Sequence, residues 1–339
     1  MRQVDEAEIK EIVDDFNIDI SPKLIEVRKK LRLYKVTEED FIIDTPEART
    51  LACFPHIVSD AFIDLNKRAA MKASEVIIER HGLDKRDVVI LHILRAGPGY
   101  MLHEAFKARN IKIKELYVRP KYVESSFKDH VDKVIKIVYH DAFRFLGCDR
   151  ISLIIPDTIA TGKTSIEVLK FYKKDLKDKV EEIILYGFIS RKGLANIRRF
   201  LEEEYNTIVY SYSLVDLTAL ASNNYDMPIY GPDENLMVKY GEEKLLGSTI
   251  GYETLRDCIN YYFPGIDQPG DWSARQTLLF TGTGYEKANY LEHLQNMKKS
   301  IERLLSMSRW RQWFRKIYEE IAKGHIKAID KVYYALYVQ

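Results

Sequence analysis

The middle of the chain is built from short apolar runs that close in Gly, Pro or polar residues. Asp87-Val-Val-Ile-Leu-His-Ile-Leu94 is one, ending in Arg95-Ala-Gly-Pro-Gly99. A continuous apolar run bounded this way predicts a strand buried on both faces, with a helix following over 100–108. Ile111 to Val118 and Val134 to Tyr139 alternate like strands, and Ile151-Ser-Leu-Ile-Ile155 is another short apolar run. Ile166, Leu169, Tyr172 and Leu176 then fall on one helical face. Val180 to Ile189 predicts a strand, Leu194, Ile197, Leu201 and Tyr205 a helix, and Thr207 to Leu214 a further strand. Strands alternating with helices imply βαβ units and a parallel sheet. Residues 1–85 read as mostly helical, with Ala69, Ala70, Ala73, Val76, Ile77 and Ile78 at helical spacing before His81-Gly82. From about 285 the pattern is helical to the end.

Composition narrows the class without changing this picture. The 339 residues carry 52 Lys+Arg against 51 Asp+Glu, a formal net charge of +1. The 46% hydrophobic and 30% charged fractions are those of an ordinary globular chain, which excludes disorder and a globally basic nucleic-acid binder. Cys53, Cys148 and Cys258 are too scattered for a disulfide framework or a metal motif and read as reduced thiols. The charged opening MRQVDEAEIKEIVDDF has no apolar signal segment, and no apolar run is long enough to span a membrane. The expected location is cytoplasmic, with no membrane partner.

The chemistry concentrates in Ile151-Ser-Leu-Ile-Ile-Pro-Asp-Thr-Ile-Ala-Thr-Gly-Lys-Thr164. A strand delivers one carboxylate, Asp157, and a loop with Thr161, Gly162 and Thr164 enters a helix. Backbone N–H groups at a helix N-terminus suit a phosphate dianion, and a carboxylate at the strand end suits ribose hydroxyls. The loop therefore reads as a sugar-phosphate site. Two alternatives stand beside it. Gly162-Lys163-Thr164 matches the end of a P-loop, although Asp157 occupies the place of the leading glycine. An ordinary strand-to-helix turn with a Thr cap is the other.

An apolar strand, an acid and Ala-Thr-Gly-x-Thr together resemble the phosphoribosyl-diphosphate (PRPP) signature of type I phosphoribosyltransferases. Ile93-Leu-Arg-Ala-Gly-Pro-Gly-Tyr-Met101 resembles the diphosphate loop of uracil phosphoribosyltransferases, and Tyr117-Val-Arg119 matches the start of that family's covering loop. The resemblance spans about residues 45–235, reaching to 284. It departs in four places, one of them the base-binding text, normally Pro-Gly-x-Gly-Asp, which is altered in both candidate stretches. The family has two adjacent acids, or an acid then proline, where this chain has Pro156 then Asp157. Lys163 stands where glycine is usual, and the long C-terminal segment has no counterpart.

The resemblance implies an α/β fold with a parallel sheet flanked by helices, an N-terminal helical region at 1–85, a phosphoribosyltransferase-like domain at 86–284 and a helical extension at 285–339. It implies transfer of ribose 5-phosphate from PRPP to a nucleobase, uracil first, with Mg2+ held mainly by PRPP and no direct side-chain metal ligand. Arg95 and Asp157 would be catalytic. Arg95, Ala96, Gly97, Arg119, Asp157, Thr158, Ala160, Thr161, Gly162, Lys163 and Thr164 would bind PRPP. Ile229, Tyr230, Gly231 and Asp233 would bind the base, with Gly265–Asp271 in reserve. Glu124-Ser-Ser-Phe-Lys-Asp-His130 would form part of a closing loop. A homodimer or higher oligomer is expected. The alternative is a catalytically altered protein that senses PRPP or a nucleotide. In the basic segment Lys298–Lys316, the stretch Arg309–Lys316, with Trp310 and Trp313 among arginines, would then contact RNA or a protein. Helical spacing favours core packing for those aromatics, so no nucleic-acid partner is expected. His92, His103 and His140 lack metal-ligand spacing and read as structural.

Overall fold

The computed structural model describes residues 4–123, 134–142 and 150–337. Its elements run α1 (Glu6–Phe16), β1 (Lys23–Arg28), β2 (Leu31–Lys35), β3 (Asp40–Asp44), α2 (Pro46–Cys53), α3 (Ser59–His81), β4 (Asp87–Ile93), α4 (Leu102–Ala108), β5 (Ile113–Tyr122), β6 (Ile135–His140), β7 (Ile151–Pro156), α5 (Lys163–Phe171), α6 (Lys173–Leu176), β8 (Val180–Ser190), α7 (Arg191–Glu204) and β9 (Ile208–Thr218). There follow β10 (Tyr230–Pro232), α8 (Glu234–Tyr240), β11 (Leu245–Gly247), β12 (Thr249–Ile250), α9 (Tyr252–Cys258), β13 (Leu278–Phe280), β14 (Tyr285–Lys287), α10 (Tyr290–Ser308) and α11 (Lys316–Tyr337).

The main sheet has the order β1-β2-β3-β9-β8-β7-β4-β5-β6, with β12 added against β9. From β3 to β5 along this order every pairing is parallel; β1, β2 and β6 extend the ends antiparallel. Successive side chains on a strand point to opposite faces, and each central strand divides accordingly. Val88 and Ile90 of β4 join the core cluster beneath α3, α4 and α10. Val89, Leu91 and Ile93 join the cluster beneath α5 and α7. Both faces are covered, which is why β4 and β7 read as largely apolar runs.

The mostly helical reading of 1–85 needs correction. β1–β3 fold as an antiparallel meander, and β3 pairs with β9 through Asp40↔Ser211 to Ile43↔Leu214. The N-terminal stretch therefore extends the sheet instead of only packing against it. Similarly, β14 precedes the C-terminal helices. Residues 225–233 and 262–271 pack on each other: Gly265 N–H donates to Tyr230 O at 2.8 Å and Met227 N–H to Asp267 Oδ1 at 2.7 Å. Cys53 and Cys258 are buried and free; Cys148 lies outside the described residues. No described helix is long and apolar enough to cross a membrane.

Candidate functional site

Adjacent parallel strands β4 and β7 end at the same edge of the sheet, so the loops that follow them meet. In parallel α/β sheets ligands bind at these carboxyl ends. Between the two loops lies a cavity of about 490 Å³. Arg95, Ala96, Arg119, Asp157, Thr158, Ala160, Thr161, Gly162, Lys163 and Thr164 all line it. Gly97 does not. It packs beneath the site, where a Cβ would stand 3.0 Å from Pro156 O, so its missing side chain lets the two loops touch.

The loop after β7 is held by its neighbours. Asp157 N–H donates to Tyr186 O and Ile159 N–H to Phe188 O, at 2.9 and 2.8 Å. Ser190 Oγ donates to Ala160 O, and Asn196 Nδ2 to Thr161 O at 3.0 Å. Gly162 caps α5 with φ 75°, a left-handed conformation that favours glycine. A Cβ there would sit 2.8 Å from Gly193 O and from Ile197. The first helical turn, Lys163 to Ser165, lines the cavity, which presents the positive end of the α5 dipole to it. Lys163 N–H donates to Thr161 Oγ1 at 3.3 Å.

Asp157 is buried at 6% exposure and lines the cavity. Burial raises its carboxyl to about 7, against the Thr158 N–H, which donates to Oδ1 at 2.9 Å. An opposite charge or hydroxyl donors brought into the cavity would favour the carboxylate.

On the other side, Arg95 forms an ion pair with Glu286 of β14. Arg119 Nη2 lies 4.0 Å from the same carboxylate, and its Nη1 donates to Thr281 O at 3.3 Å. Two arginines thus converge on one anion supplied by the β13–β14 hairpin. Lys121 also lines the cavity, while Glu124–His130, expected to help cover it, lies outside the described residues.

Some participants carried no signal in the motifs. Tyr100 reaches from the first loop to the second, its hydroxyl 2.6 Å from Thr158 Oγ1, and stacks on Trp272 at 4.3 Å. Gly187 inside β8 is needed for this closeness, because a Cβ would meet Asp157 O at 2.2 Å and the Tyr100 ring at 2.9 Å. A glycine inside a strand is a sequence sign of such close approach. Tyr100 stood in the first loop's motif without a role assigned to it, and Glu286 had no comparable sign.

The four residues expected to bind a base lie elsewhere. Ile229, Tyr230, Gly231 and Asp233 are buried, and none lines the cavity. Tyr230 packs against Phe16 and Tyr262, at 5.1 and 5.2 Å between ring centroids. Gly231 abuts Gly265, and Asp233 caps α8 while accepting from Ser222 N–H at 2.7 Å. Nearby in the chain or the fold, Asn224, Tyr225 and Ser273 do line the cavity. Tyr225 and Ser273, with Arg95, also line a second cavity of about 860 Å³, whose walls include Asp267 and Asp271 of the reserve loop and residues of α10.

Three arginines of the basic C-terminal stretch are paired with acids of the chain. Arg315 pairs with Asp15 at 2.8 Å and Glu11 at 3.3 Å, Arg309 with Glu319 at 3.4 Å, and Arg311 with Glu243 at 3.5 Å. Trp313 is buried, and Trp310 is 90% exposed.

No family model and no curated protein matches the chain. Among solved structures it is similar to the AQ2163 protein of Aquifex aeolicus, with 14% identity, a TM-score of 0.38, and coverage of 67% of this chain and 91% of that one. It is also similar to adenine phosphoribosyl transferase from Trypanosoma brucei in complex with AMP, pyrophosphate and ribose-5-phosphate (14% identity, TM-score 0.37, 57% and 90% covered). A third is purine phosphoribosyltransferase from Pyrococcus horikoshii (16%, 0.27, 47% and 89%).

Proposed function

We propose that the chain is a phosphoribosyltransferase, moving ribose 5-phosphate from PRPP to a nitrogen of a nucleobase with release of diphosphate. The observation that carries this reading is the single cavity lined by both the Arg95 loop and the Asp157–Thr164 loop. The first turn of α5 would seat the 5′-phosphate on backbone N–H groups. Asp157 would accept hydrogen bonds from the ribose hydroxyls. Arg95 and Arg119 would neutralise the departing diphosphate, Arg95 by its planar fork. Charge stabilisation of a leaving group needs no protein nucleophile, only positioned cations and an aligned acceptor. The acceptor would enter beside Asn224, Tyr225 and Ser273, the last two of which line both cavities. Uracil is the first base to test.

The donor set fits Mg2+ held mainly by substrate. It is all oxygen, with one carboxylate, Asp157, and the Thr158, Thr161 and Thr164 hydroxyls. Bound there, the ion would add charge neutralisation at the diphosphate.

The test is incubation with PRPP, Mg2+ and single bases while diphosphate is assayed. Release with one base supports transfer, and PRPP binding without release for any base removes it. A second reading, a PRPP-binding regulator, is favoured by Pro156 preceding the lone acid and by Glu286 occupying both arginines. Binding without turnover would be its signature.

A further inference from the structure

Three side chains outside the cavity converge without a role in the proposed transfer. His92 is the buried penultimate residue of β4, His103 lies in the first turn of α4, and Glu115 is on the adjacent strand β5. Their potential ligand atoms all lie within 4.8 Å of one another. His92 Nε2 is 3.0 Å from Glu115 Oε2, and the rings of His92 and His103 meet edge to face at 4.9 Å. We propose that His92, His103 and Glu115 bind a divalent transition-metal ion of the zinc class, clamping the loop that joins β4 to α4.

The polar accounting points the same way. Nδ1 of His92 and Nδ1 of His103 are both buried without a hydrogen-bond partner, a costly arrangement for a ring nitrogen. A neutral imidazole can present such an unpartnered nitrogen to a metal as a lone pair. The Glu115 carboxyl is met by His92, Lys107 and Tyr117. The site thus supplies two imidazoles and one negative charge.

Supporting contacts orient the donors. Tyr117 donates to Glu115 Oε2 at 2.8 Å, and its ring stacks on His92 at 4.6 Å. Such neighbours tune ligands in known metal sites. Lys107 takes the other oxygen, Oε1, at 2.6 Å. Its ammonium is the competing cation. His92 is fully buried, but the His103 and Glu115 side chains are 14% and 18% exposed, so an ion can arrive from solvent. Two imidazoles and a carboxylate suit zinc, cobalt or nickel and not magnesium or calcium. The ligands bracket residues 94–101, so an ion would tie both ends of the Arg95 loop to β5.

The experiment is metal analysis of the purified chain, then calorimetric titration of zinc in excess Mg2+, with Tm read in parallel. One zinc per chain and a zinc-specific rise in Tm are expected. His103→Gln and Glu115→Gln, at partly exposed positions, should weaken zinc binding by about 10- to 100-fold with an unchanged circular dichroism spectrum. Lys107→Met, which removes the competing cation, should tighten it, and this variant decides the matter if the other two fail to fold. No zinc uptake by the wild type, uptake indifferent to both Gln variants, or binding weakened by Lys107→Met overturns the proposal.

Discussion

Asp157 shows how one buried carboxylate couples stability to binding. Its unfolded value is 3.8, and burial raises it to about 7 in the folded chain. A carboxyl whose folded value is raised contributes stability that is fully present below the unfolded value and lost as pH rises through about 7. Asp157→Asn removes the desolvated charge. It should therefore raise Tm at pH 8 by a few degrees, on the order of 1–3 kcal/mol, while abolishing PRPP binding. Calorimetry of the two proteins at pH 5 and pH 8 checks the first point, since the gain should shrink at pH 5. In the wild type, PRPP affinity should fall as pH drops below about 7, where the carboxyl takes up its proton; a flat profile from pH 6 to 8 would remove Asp157 from the ribose site. The loop motif made Asp157 conspicuous in the sequence. Its burial was not legible there, because that depends on Tyr100, Gly187 and Trp272 closing over the loop.

Among the elements, the strands beneath the site were legible because both faces of β4 and β7 are covered, so each is apolar but for a single buried polar residue inside it, His92 or Ser152. β1–β3 were not. β1 is an edge strand with Leu24, Ile25 and Val27 exposed, and its hairpin turns on Lys29 and Lys30 at φ 45° and 65°. The usual Asn-Gly or Asp-Gly sign of such a turn is missing. The loop-to-helix joint at α5 gives a sharp prediction. Gly162→Ala adds a Cβ at a left-handed position, 2.8 Å from Gly193 O. It should cost about 1–3 kcal/mol and weaken PRPP binding, both readable by calorimetry. The β13–β14 hairpin gives the opposite sign. Glu286→Gln frees Arg95 and Arg119 from a partly exposed ion pair. Such pairs are worth about 0–1 kcal/mol, so diphosphate should bind up to about fivefold more tightly, as isothermal titration would measure.

At the scale of the molecule, the C-terminal helices belong to the core. Leu294, Ile301 and Leu304 of α10 and Ile329 of α11 are at most 1% exposed and share the cluster that contains Ile9, Phe62 and Ile90. Burying one such side chain is worth about 1.5–3 kcal/mol against a total stability of about 5–15 kcal/mol. A chain truncated after residue 289 should therefore lose cooperative thermal unfolding. Changing Arg309, Arg311 and Arg315 together to Glu should lower Tm, because Arg315 ties α11 to α1 through Asp15 and Glu11, and should leave RNA binding in a gel-shift assay unaltered. Trp313 and the arginines read as a basic aromatic stretch in one dimension; only the folded chain shows the acids that meet them.

By itself the sequence determined the alternation of strand and helix and the two loops at strand ends, since each depends on residues close together in the chain. Apolar runs, glycine positions and a lone acid are local properties, and local physics reads them. The tertiary structure alone decided which distant residues meet: Glu286 on two arginines, Asn224 and Tyr225 but not Ile229–Asp233 at the cavity, and His92 beside His103 and Glu115. Those juxtapositions come from strand order and from helices packing across the sheet, and no spacing along the chain encodes them.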